Sequence, residues 1–391
     1  MSSAPSSLDV SALDLQWLAL SLTPSLGPTR SRRLLERFGA IDQIFRASLT
    51  ELEAAGLQAV AAQAIALGES VRAAESEVAK AAAAGARVLT PASPEFPLTL
   101  QEIYDPPLAL FVTGAVETLT RPGIAVVGTR HPTPYGLGMA ERLSCDLAAR
   151  GLIIFSGMAR GVDSAAHRGA VNAGGRTVAV FGTGVDVLYP RENRKLAEQI
   201  VANGGALVSE FPMGTTPQPH NFPIRNRIIS GISSGVLVVE AGEYSGTRIT
   251  ARCALEQSRE VFAVPGNVTN KLSWGPNTLI KQGAKLVATW EDVWEELPTQ
   301  IRLLLKPPAT DEAERSEETV TAPLFDQSAN LSPNEKKVFA VIKADESIHI
   351  DEIVERFDSQ LSSSDIFSAL FELEMSGKIR QMPGKNYVRC F

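Results

Sequence analysis

Short apolar runs alternate with segments of helical length between residues 124 and 289, and this pattern constrains the fold more than any other feature. The runs are Ile124–Gly128, Leu152–Gly157, Thr177–Gly182, Ala206–Glu210, Val236–Glu240, Val261–Pro265 and Leu286–Thr289. Amphipathic segments such as Tyr135–Arg150 and Arg191–Asn203 separate most of them. Continuous apolar strands that alternate with helices are typical of a parallel sheet covered on both faces. The sequence therefore predicts an α/β fold with an extended Rossmann-like parallel-sheet domain over residues 79–298.

A small helical domain is predicted in front of the sheet, because residues 1–78 are rich in Ala and Leu with helical spacing. Thr29 is the expected N-cap of a helix that stops at Gly39, after a tight turn over Pro24–Pro28. Two helices around such a turn indicate a SAM-like or helix-hairpin-helix-like unit. The second helix carries Arg30, Arg32, Arg33 and Arg37. Either the turn and these arginines approach a phosphate, or the helices are a packing module with solvated arginines.

A linker and a winged helix are predicted behind the sheet. Residues 299–330 contain the acidic stretch Asp311–Glu318 and indicate a flexible linker. Residues 331–391 show three helical patterns followed by two short strands around Pro383–Gly384, which is the order of elements in a winged helix.

The expected recognition helix of this winged helix, Ser363–Ser376, contains no Lys or Arg. A helix that reads a DNA groove normally brings cationic side chains to the phosphates. We therefore favour contact with protein, or packing of the helix on its own core through Ile366, Leu370 and Phe371, over a role in DNA binding.

Charge and cysteine content exclude several classes of protein. The 391 residues include 37 Lys and Arg against 44 Asp and Glu, a net charge of −7, so any site for a polyanion must be a local concentration of cations. The three cysteines are far apart, which argues against a disulfide framework or a zinc site. No secretory signal and no run of about 18 apolar residues is visible. We expect a cytoplasmic protein with no membrane insertion, no metal ion and no cofactor.

Small residues follow the predicted strands and indicate a ligand site at their carboxyl ends. Ligands of open parallel sheets bind at this edge, and small residues let the backbone N–H groups come close to them. A single glycine here usually serves a turn, but several loops converge on one edge. The candidate binding residues in these loops are Gly128, Thr129, Arg130, Ser156, Gly157, Arg160, Gly161, Ser245, Gly246 and Thr247.

A cationic stretch without acids completes the candidate site. No Asp or Glu occurs from Phe211 to Val239. The candidate binding residues in this stretch are His220, Phe222, Arg225, Asn226 and Arg227. These residues suit a phosphate backbone, with the phenyl ring as a stacking platform for a base. The alternative places Phe222 in the core and pairs Arg225 or Arg227 with Glu210 or Glu240, and the two arginines could divide these roles.

Conventional nucleotide motifs are absent from the sequence. There is no G-x-x-x-x-G-K-[ST] loop, and Gly182–Gly184 lacks the third glycine of a dinucleotide fingerprint. ATP hydrolysis and NAD-dependent redox chemistry are therefore not expected.

The motifs at the strand ends together resemble the DNA-processing protein A family, also called DprA or Smf. The strings that carry the resemblance are Val126–Arg130, Ser156–Asp163 with Ala166 and His167, Asp186–Pro190 with Asn193, Phe222–Gly231, Val238–Ala241, Ser245–Thr247 and Ala263–Gly266. They run in the family's order over about residues 90–290. The resemblance implies a protein that binds and protects incoming single-stranded DNA, forms a homodimer through the Rossmann-like domain and loads the RecA recombinase during natural transformation. The cationic strand-end loops and the stretch without acids favour a protein that is not an enzyme.

The resemblance also implies roles for single residues. Arg130 matches the family's pocket arginine, and Phe222 matches its stacking aromatic residue. Pro219 and His220 stand where many members have a lysine, so phosphate binding there would be weaker or would use Arg225 instead.

A second, more distant resemblance supplies the alternative function. Nucleotide phosphoribohydrolases of the lysine-decarboxylase-like type have a G-G-x-G-T-x-x-E loop, which corresponds to Ser245–Thr250. Thr250 occupies the position of the acidic residue that would assist cleavage of the N-glycosidic bond. This substitution favours a binding fold without the chemistry, and a hydrolase remains the alternative.

Overall fold

The computed structural model describes residues 10–305, 331–343, 347–357 and 361–389. Its N-terminal part is helical, as predicted. The helices are α1 (Ala12–Ser21), α2 (Pro28–Phe38), α3 (Ile41–Arg46), α4 (Leu49–Ala54), α5 (Ala59–Ala66) and α6 (Glu69–Ala83). The last of them runs through the domain boundary predicted at residue 78.

The predicted N-cap of α2 is wrong by two positions. The cap is Gly27 and the helix begins at Pro28, so Thr29 already lies inside it. Proline suits this first position because its fixed φ is helical and its missing N–H would be unpaired there anyway. The predicted end is correct, since Gly39 closes the helix with a φ of 77°.

A nine-stranded sheet forms the centre of the protein. The strands are β1 (Arg87–Leu89), β2 (Leu110–Gly114), β3 (Gly123–Val127), β4 (Ile153–Ser156), β5 (Thr177–Phe181), β6 (Ala206–Ser209), β7 (Gly235–Val238), β8 (Glu260–Ala263) and β9 (Lys285–Leu286). Their spatial order is β1-β2-β6-β5-β4-β3-β7-β8-β9. The seven strands from β3 to β9 are parallel and overlap the seven predicted runs, whereas β1 and β2 add an antiparallel edge that the sequence did not predict.

Helices cover both faces of this sheet. They are α7 (Leu98–Gln101), α8 (Pro134–Ala149), α9 (Val162–Asn172), α10 (Arg194–Ala202), α11 (Asn221–Ile232), α12 (Thr247–Glu256), α13 (Trp274–Lys281), α14 (Trp290–Glu296) and α15 (Thr299–Leu304). One apolar cluster joins the strands to α11 and α12, and a second joins them to α8 and α9 on the other face. Within the described ranges, every helix is too short or too polar to span a lipid bilayer.

The N-terminal helices share a core with the sheet. Leu18 and Ala19 of α1 and Ala74 of α6 pack in one cluster with Ala179 and Phe181 of β5. All five side chains are at most 2% exposed. The helical region is thus held against the α/β domain through a continuous apolar contact.

The C-terminal residues form a winged helix, as predicted. Its elements are α16 (Pro333–Val341), β10 (Ile348–His349), α17 (Ile350–Phe357), α18 (Ser363–Met375), β11 (Ile379–Met382) and β12 (Asn386–Arg389). The helix α15 lies within the segment predicted as a linker, which was expected to begin at residue 299. Leu305, directly after this helix, is buried against the α/β core. The acidic stretch Asp311–Glu318 lies outside the described residues.

Packing of the recognition helix α18 differs from the prediction at one residue. Ile366 and Leu370 are buried in the core of the winged helix, but Phe371 is 61% exposed. The reason is helical geometry: Phe371 lies about 160° around the axis from Leu373, which is inside the core. Phe367 and Met375 share its exposed face.

Candidate nucleic-acid interface

An open cleft of about 930 Å³ lies at the carboxyl ends of β3 and β7. These two strands are neighbours in the middle of the parallel sheet, and the strand order runs away from them in opposite directions along the chain. Open α/β sheets bind their ligands at such a reversal because the loops on either side diverge and leave a crevice. The walls come from the loop after β3, the first turns of α11 and the loop between β7 and α12.

The cleft brings together nine of the fifteen candidate residues. These are Gly128, Thr129, Arg130, Phe222, Arg225, Asn226, Ser245, Gly246 and Thr247. The other six candidates do not line the cleft. These are Ser156, Gly157, Arg160, Gly161, His220 and Arg227.

Arg130 and Phe222 face each other in the cleft. The guanidinium carbon of Arg130 lies 5.7 Å from the centroid of the phenyl ring, and the arginine side chain is exposed. Phe222 is half-buried, so one part of its ring packs on the protein while another faces the cleft. A cation beside an open aromatic face can bind a phosphate and an adjacent base together.

The Phe222 ring is seated on Gly182, the residue that follows β5. A methyl group in place of the Gly182 hydrogen would lie 2.9 Å from Cδ1 and 3.2 Å from Cε1 of the ring. Carbon atoms in ordinary contact are about 3.5–4.0 Å apart. A side chain at position 182 would therefore displace the ring of Phe222.

Arg225 supports the cleft from below. It is 5% exposed, and its Nη1 donates to the carbonyl oxygens of Gly157, at 2.8 Å, and Val180. Burial lowers the pKa of Arg225 to about 10, while the Asp163 carboxylate acts in the opposite direction. Asp163 is itself buried and accepts hydrogen bonds from the N–H groups of Gly157 and Ala159. Because Arg225 is buried, Arg130 is the exposed arginine of the cleft lining.

Arg227 has a structural role. It is 6% exposed; its Nε donates to Asp105 at 3.0 Å and its Nη2 donates to Glu210 at 2.6 Å. This is the arginine–carboxylate pairing that the sequence left open as an alternative. The two arginines of this helix thus divide between the cleft floor and an ion-pair network on the far side of α11.

The remaining candidates lie outside the lining of the cleft. Ser156 is buried and donates to the carbonyl oxygen of Val126 at 2.7 Å, and Gly161 has a φ of 74° in the turn before α9. Arg160 pairs with Glu192 at 2.8 Å on the surface. His220 is exposed just before α11.

Glu240, at the end of β7, holds the loop that carries Arg130. Its main-chain oxygen accepts from the N–H of Thr129 at 2.7 Å. Its carboxylate accepts from the N–H of Thr133 at 2.8 Å and from the Thr133 hydroxyl at 2.6 Å. Because Thr133 also caps α8, this one carboxylate joins β7, the Arg130 loop and the next helix.

Two tyrosines of the cleft were missed in the sequence. Tyr189 is 43% exposed, and its ring centroid lies 5.7 Å from that of Phe222. Tyr244 is 93% exposed on the loop between β7 and α12. An aromatic residue inside a strand-end loop is the signal that could have found both, since no helical or strand periodicity accounts for it.

Similarity to known proteins extends over most of the chain. A family model described as DNA recombination-mediator protein A matches residues 87–298, and one described as DprA winged helix domain matches residues 321–385. Protein Smf of Escherichia coli is 43% identical over 303 residues, which are 77% of each chain. Protein Smf of Synechocystis is 33% identical over 95% of this chain and 98% of its own.

A solved structure agrees with these sequence matches. DNA processing protein A from Streptococcus pneumoniae superimposes with a TM-score of 0.63 at 33% identity, covering 74% of this chain and 99% of its own.

Proposed function

The chain belongs to the DNA recombination-mediator protein A family, also called DprA or Smf, and from this premise we propose that its cleft binds single-stranded DNA. The observation that carries the proposal is the pair formed by Arg130 and Phe222 across an open cleft. An exposed guanidinium binds a phosphate, and each base that stacks on an aromatic ring contributes about 1–3 kcal/mol.

The arrangement favours a single strand over a duplex. Phe222, Tyr189 and Tyr244 offer ring faces in one cleft, and a ring can stack only on a base whose face is free. In a duplex the faces of the bases are covered by neighbouring base pairs. A phosphate-only site would bind both forms, so the aromatic residues provide the discrimination.

We further propose that the cleft binds DNA without cutting it or hydrolysing nucleotides. The hydrolase alternative needs a carboxylate at the position of Thr250, which lines the cleft and is 2% exposed. A threonine hydroxyl does not titrate near neutral pH and is a poor general acid or base. Asp163, the buried acid of the cleft, accepts two backbone N–H bonds that hold it in place beside Arg225.

Membership in the family supports the remaining elements of the proposal. The protein acts in the cytoplasm, forms a homodimer through its α/β domain and places the RecA recombinase on single strands that enter during natural transformation. No cofactor takes part.

Fluorescence anisotropy with a labelled 20-nucleotide oligothymidylate and a blunt 20-base-pair duplex tests the binding proposal. The single strand is expected to bind more tightly, and RecA is expected to form filaments faster on DNA that carries the protein. Equal binding of both forms would overturn single-strand recognition. Release of free base from nucleoside monophosphates, abolished by Arg130→Ala, would replace the proposal with the hydrolase alternative.

A further inference from the structure

Three arginines form an exposed cationic face on α2, away from the cleft. Arg30, Arg33 and Arg37 are spaced i, i+3 and i+7, so they lie within about 60° around the helix axis. Arg30 donates to the carbonyl oxygen of Ser25 at 2.9 Å, and Arg37 donates to that of Ala54 at 2.7 Å. In the described part of the chain, none of the three has a carboxylate at ion-pair distance.

The charge of this face is not neutralised within its own helix. The helix contains four arginines and one acid, Glu36, which gives 4 − 1 = +3 in a protein whose total charge is −7. That acid pairs with Arg32 at 3.4 Å on a neighbouring part of the helix surface. Leu34 is buried and lies only about 40° around the axis from Arg30, so the three arginines lie beside the buried side of α2, with their side chains exposed.

The turn before α2 adds open backbone to the arginine face. A methyl group added at Gly27 would meet no atom within 4 Å, so nothing in the described residues covers this point of the chain. A phosphate that approached Arg30 could therefore come close to the main chain as well.

Consecutive contacts connect α2 to the cleft. Arg32 of α2 donates to the carbonyl oxygen of Tyr104 at 3.4 Å, and Tyr104 is itself 71% exposed. The next residue, Asp105, binds Arg227 of α11, the helix whose first turn carries Phe222. Since α1 and α6 also share a core with β5, the arginine face is held on the same body as the cleft.

We propose that Arg30, Arg33 and Arg37 form a second nucleic-acid site, which binds the phosphodiester backbone of DNA that extends beyond the cleft. The inference rests on the proposed function of the cleft. The face is about 10 Å long, from seven residues at 1.5 Å each, which equals the axial rise of about three base pairs of a duplex at 3.4 Å each. The same chemistry would hold a single-stranded extension or a duplex next to it.

The test compares the variant R30Q/R33Q/R37Q with a control that removes equal charge elsewhere. Glutamine keeps the helix propensity of arginine, so α2 should remain folded. The control R46Q/R194Q/R252Q removes three arginines that are 73–80% exposed, each of which pairs with an acid four residues away. The probes are hexathymidylate, a 30-nucleotide oligothymidylate, and hexathymidylate joined to a 20-base-pair duplex.

The R30Q/R33Q/R37Q variant is expected to bind hexathymidylate as the wild type does. If the site binds a single-stranded extension, the affinity of the variant for the 30-nucleotide probe should fall about tenfold or more. If it binds a duplex, the same fall should occur on the duplex probe. The salt slope should fall by about 2 on the 30-mer (three contacts at about 0.7 each) or by about 2.7 on the duplex probe (about 0.9 each). The control should change neither slope. Unchanged slopes on both long probes, or an equal loss in the control, would overturn the second site.

Failure of the cleft has a different signature from failure of the arginine face. If wild-type protein did not bind hexathymidylate while R30Q/R33Q/R37Q still weakened binding of a long probe, the cleft proposal would fall and the second site would stand. If hexathymidylate bound normally and the R30Q/R33Q/R37Q substitutions did not affect binding of the long probes, the second site would fall and the cleft proposal would stand.

Discussion

Replacing Gly182 by alanine should weaken DNA binding although Gly182 itself does not line the cleft. The added methyl group would lie 2.9 Å from Cδ1 of Phe222, so the ring must withdraw by roughly 0.6 Å or more to restore ordinary contact. The ring is half-buried and can move toward the open cleft, so the free energy of unfolding should fall by only about 1 kcal/mol, at the low end for overpacking.

The expected loss of DNA affinity follows from the stacking contact. A base on an aromatic ring is worth about 1–3 kcal/mol, and a displaced ring should forfeit a large part of this, about 1 kcal/mol or fivefold in Kd. The salt slope should not change, because no cation is lost.

A double-mutant cycle with Phe222→Ala is the decisive assay, read by anisotropy on hexathymidylate. Gly182→Ala should have no further effect once the ring is absent, so the two losses should not add. Equal losses from Gly182→Ala in the wild-type and Phe222→Ala backgrounds would show that the glycine does not act through the ring. An unchanged Kd in the single variant would refute the reasoning from ring position to binding.

Four further predictions concern other parts of the protein. Arg130→Ala should weaken hexathymidylate binding by about 1.5–3 kcal/mol and reduce the salt slope by about 0.7, measured by salt titration; an unchanged slope would remove Arg130 from the phosphate contact. Tyr244→Ala should weaken binding by about 1–3 kcal/mol with an unchanged melting temperature, because the side chain is 93% exposed; retained affinity would exclude it as a stacking residue. Truncation after Leu305 keeps this buried residue in place and should leave hexathymidylate binding intact. Loss of binding in the truncated protein would assign DNA binding to the winged helix. Burial lowers the pKa of His167 to about 3, so the unfolded chain takes up a proton between about pH 6.5 and 5 and the folded chain does not. Stability should therefore fall with decreasing pH, with a slope that rises from about 0.7 to about 1.4 kcal/mol per pH unit in this window. His167→Gln should flatten that slope in urea titrations, and an unaltered slope would contradict a buried neutral imidazole.

The parallel strands could be predicted because each is an unbroken apolar run with both faces buried. Strands β1 and β2 could not, because β1 has only three residues and the two strands flank a proline-rich segment that is typical of loops. Their place at the antiparallel edge depends on pairing with β6, which is about 90 residues away from β2 in the sequence.

The convergence of the strand-end loops was predictable, but the roles of neighbouring arginines were not. Arg225 and Arg227 stand two residues apart on α11 and point to different sides of it. The direction of Arg227 depends partly on its ion pair with Asp105, a residue 122 positions away that no sequence motif connects with Arg227. The seat of Phe222 on Gly182 was equally hidden, because that glycine reads as an ordinary residue of a strand end.

The sequence also did not show which face of a helix is buried. The absence of cations on α18 could be read directly, but the direction of Phe371 required knowing which side of the helix meets the winged-helix core. The exposed arginines of α2 left two interpretations open for the same reason, since spacing alone does not show whether a carboxylate from another element lies opposite them.

Photocrosslinking of hexathymidylate analogues that carry 5-bromodeoxyuridine, followed by mass spectrometry, tests most directly whether the strand lies in the cleft between β3 and β7. We expect crosslinked peptides that contain Phe222, Tyr189 or Tyr244, and their loss when Arg130 is replaced by alanine. Crosslinks confined to other surfaces, with these three aromatic residues unmodified, would contradict binding in the cleft.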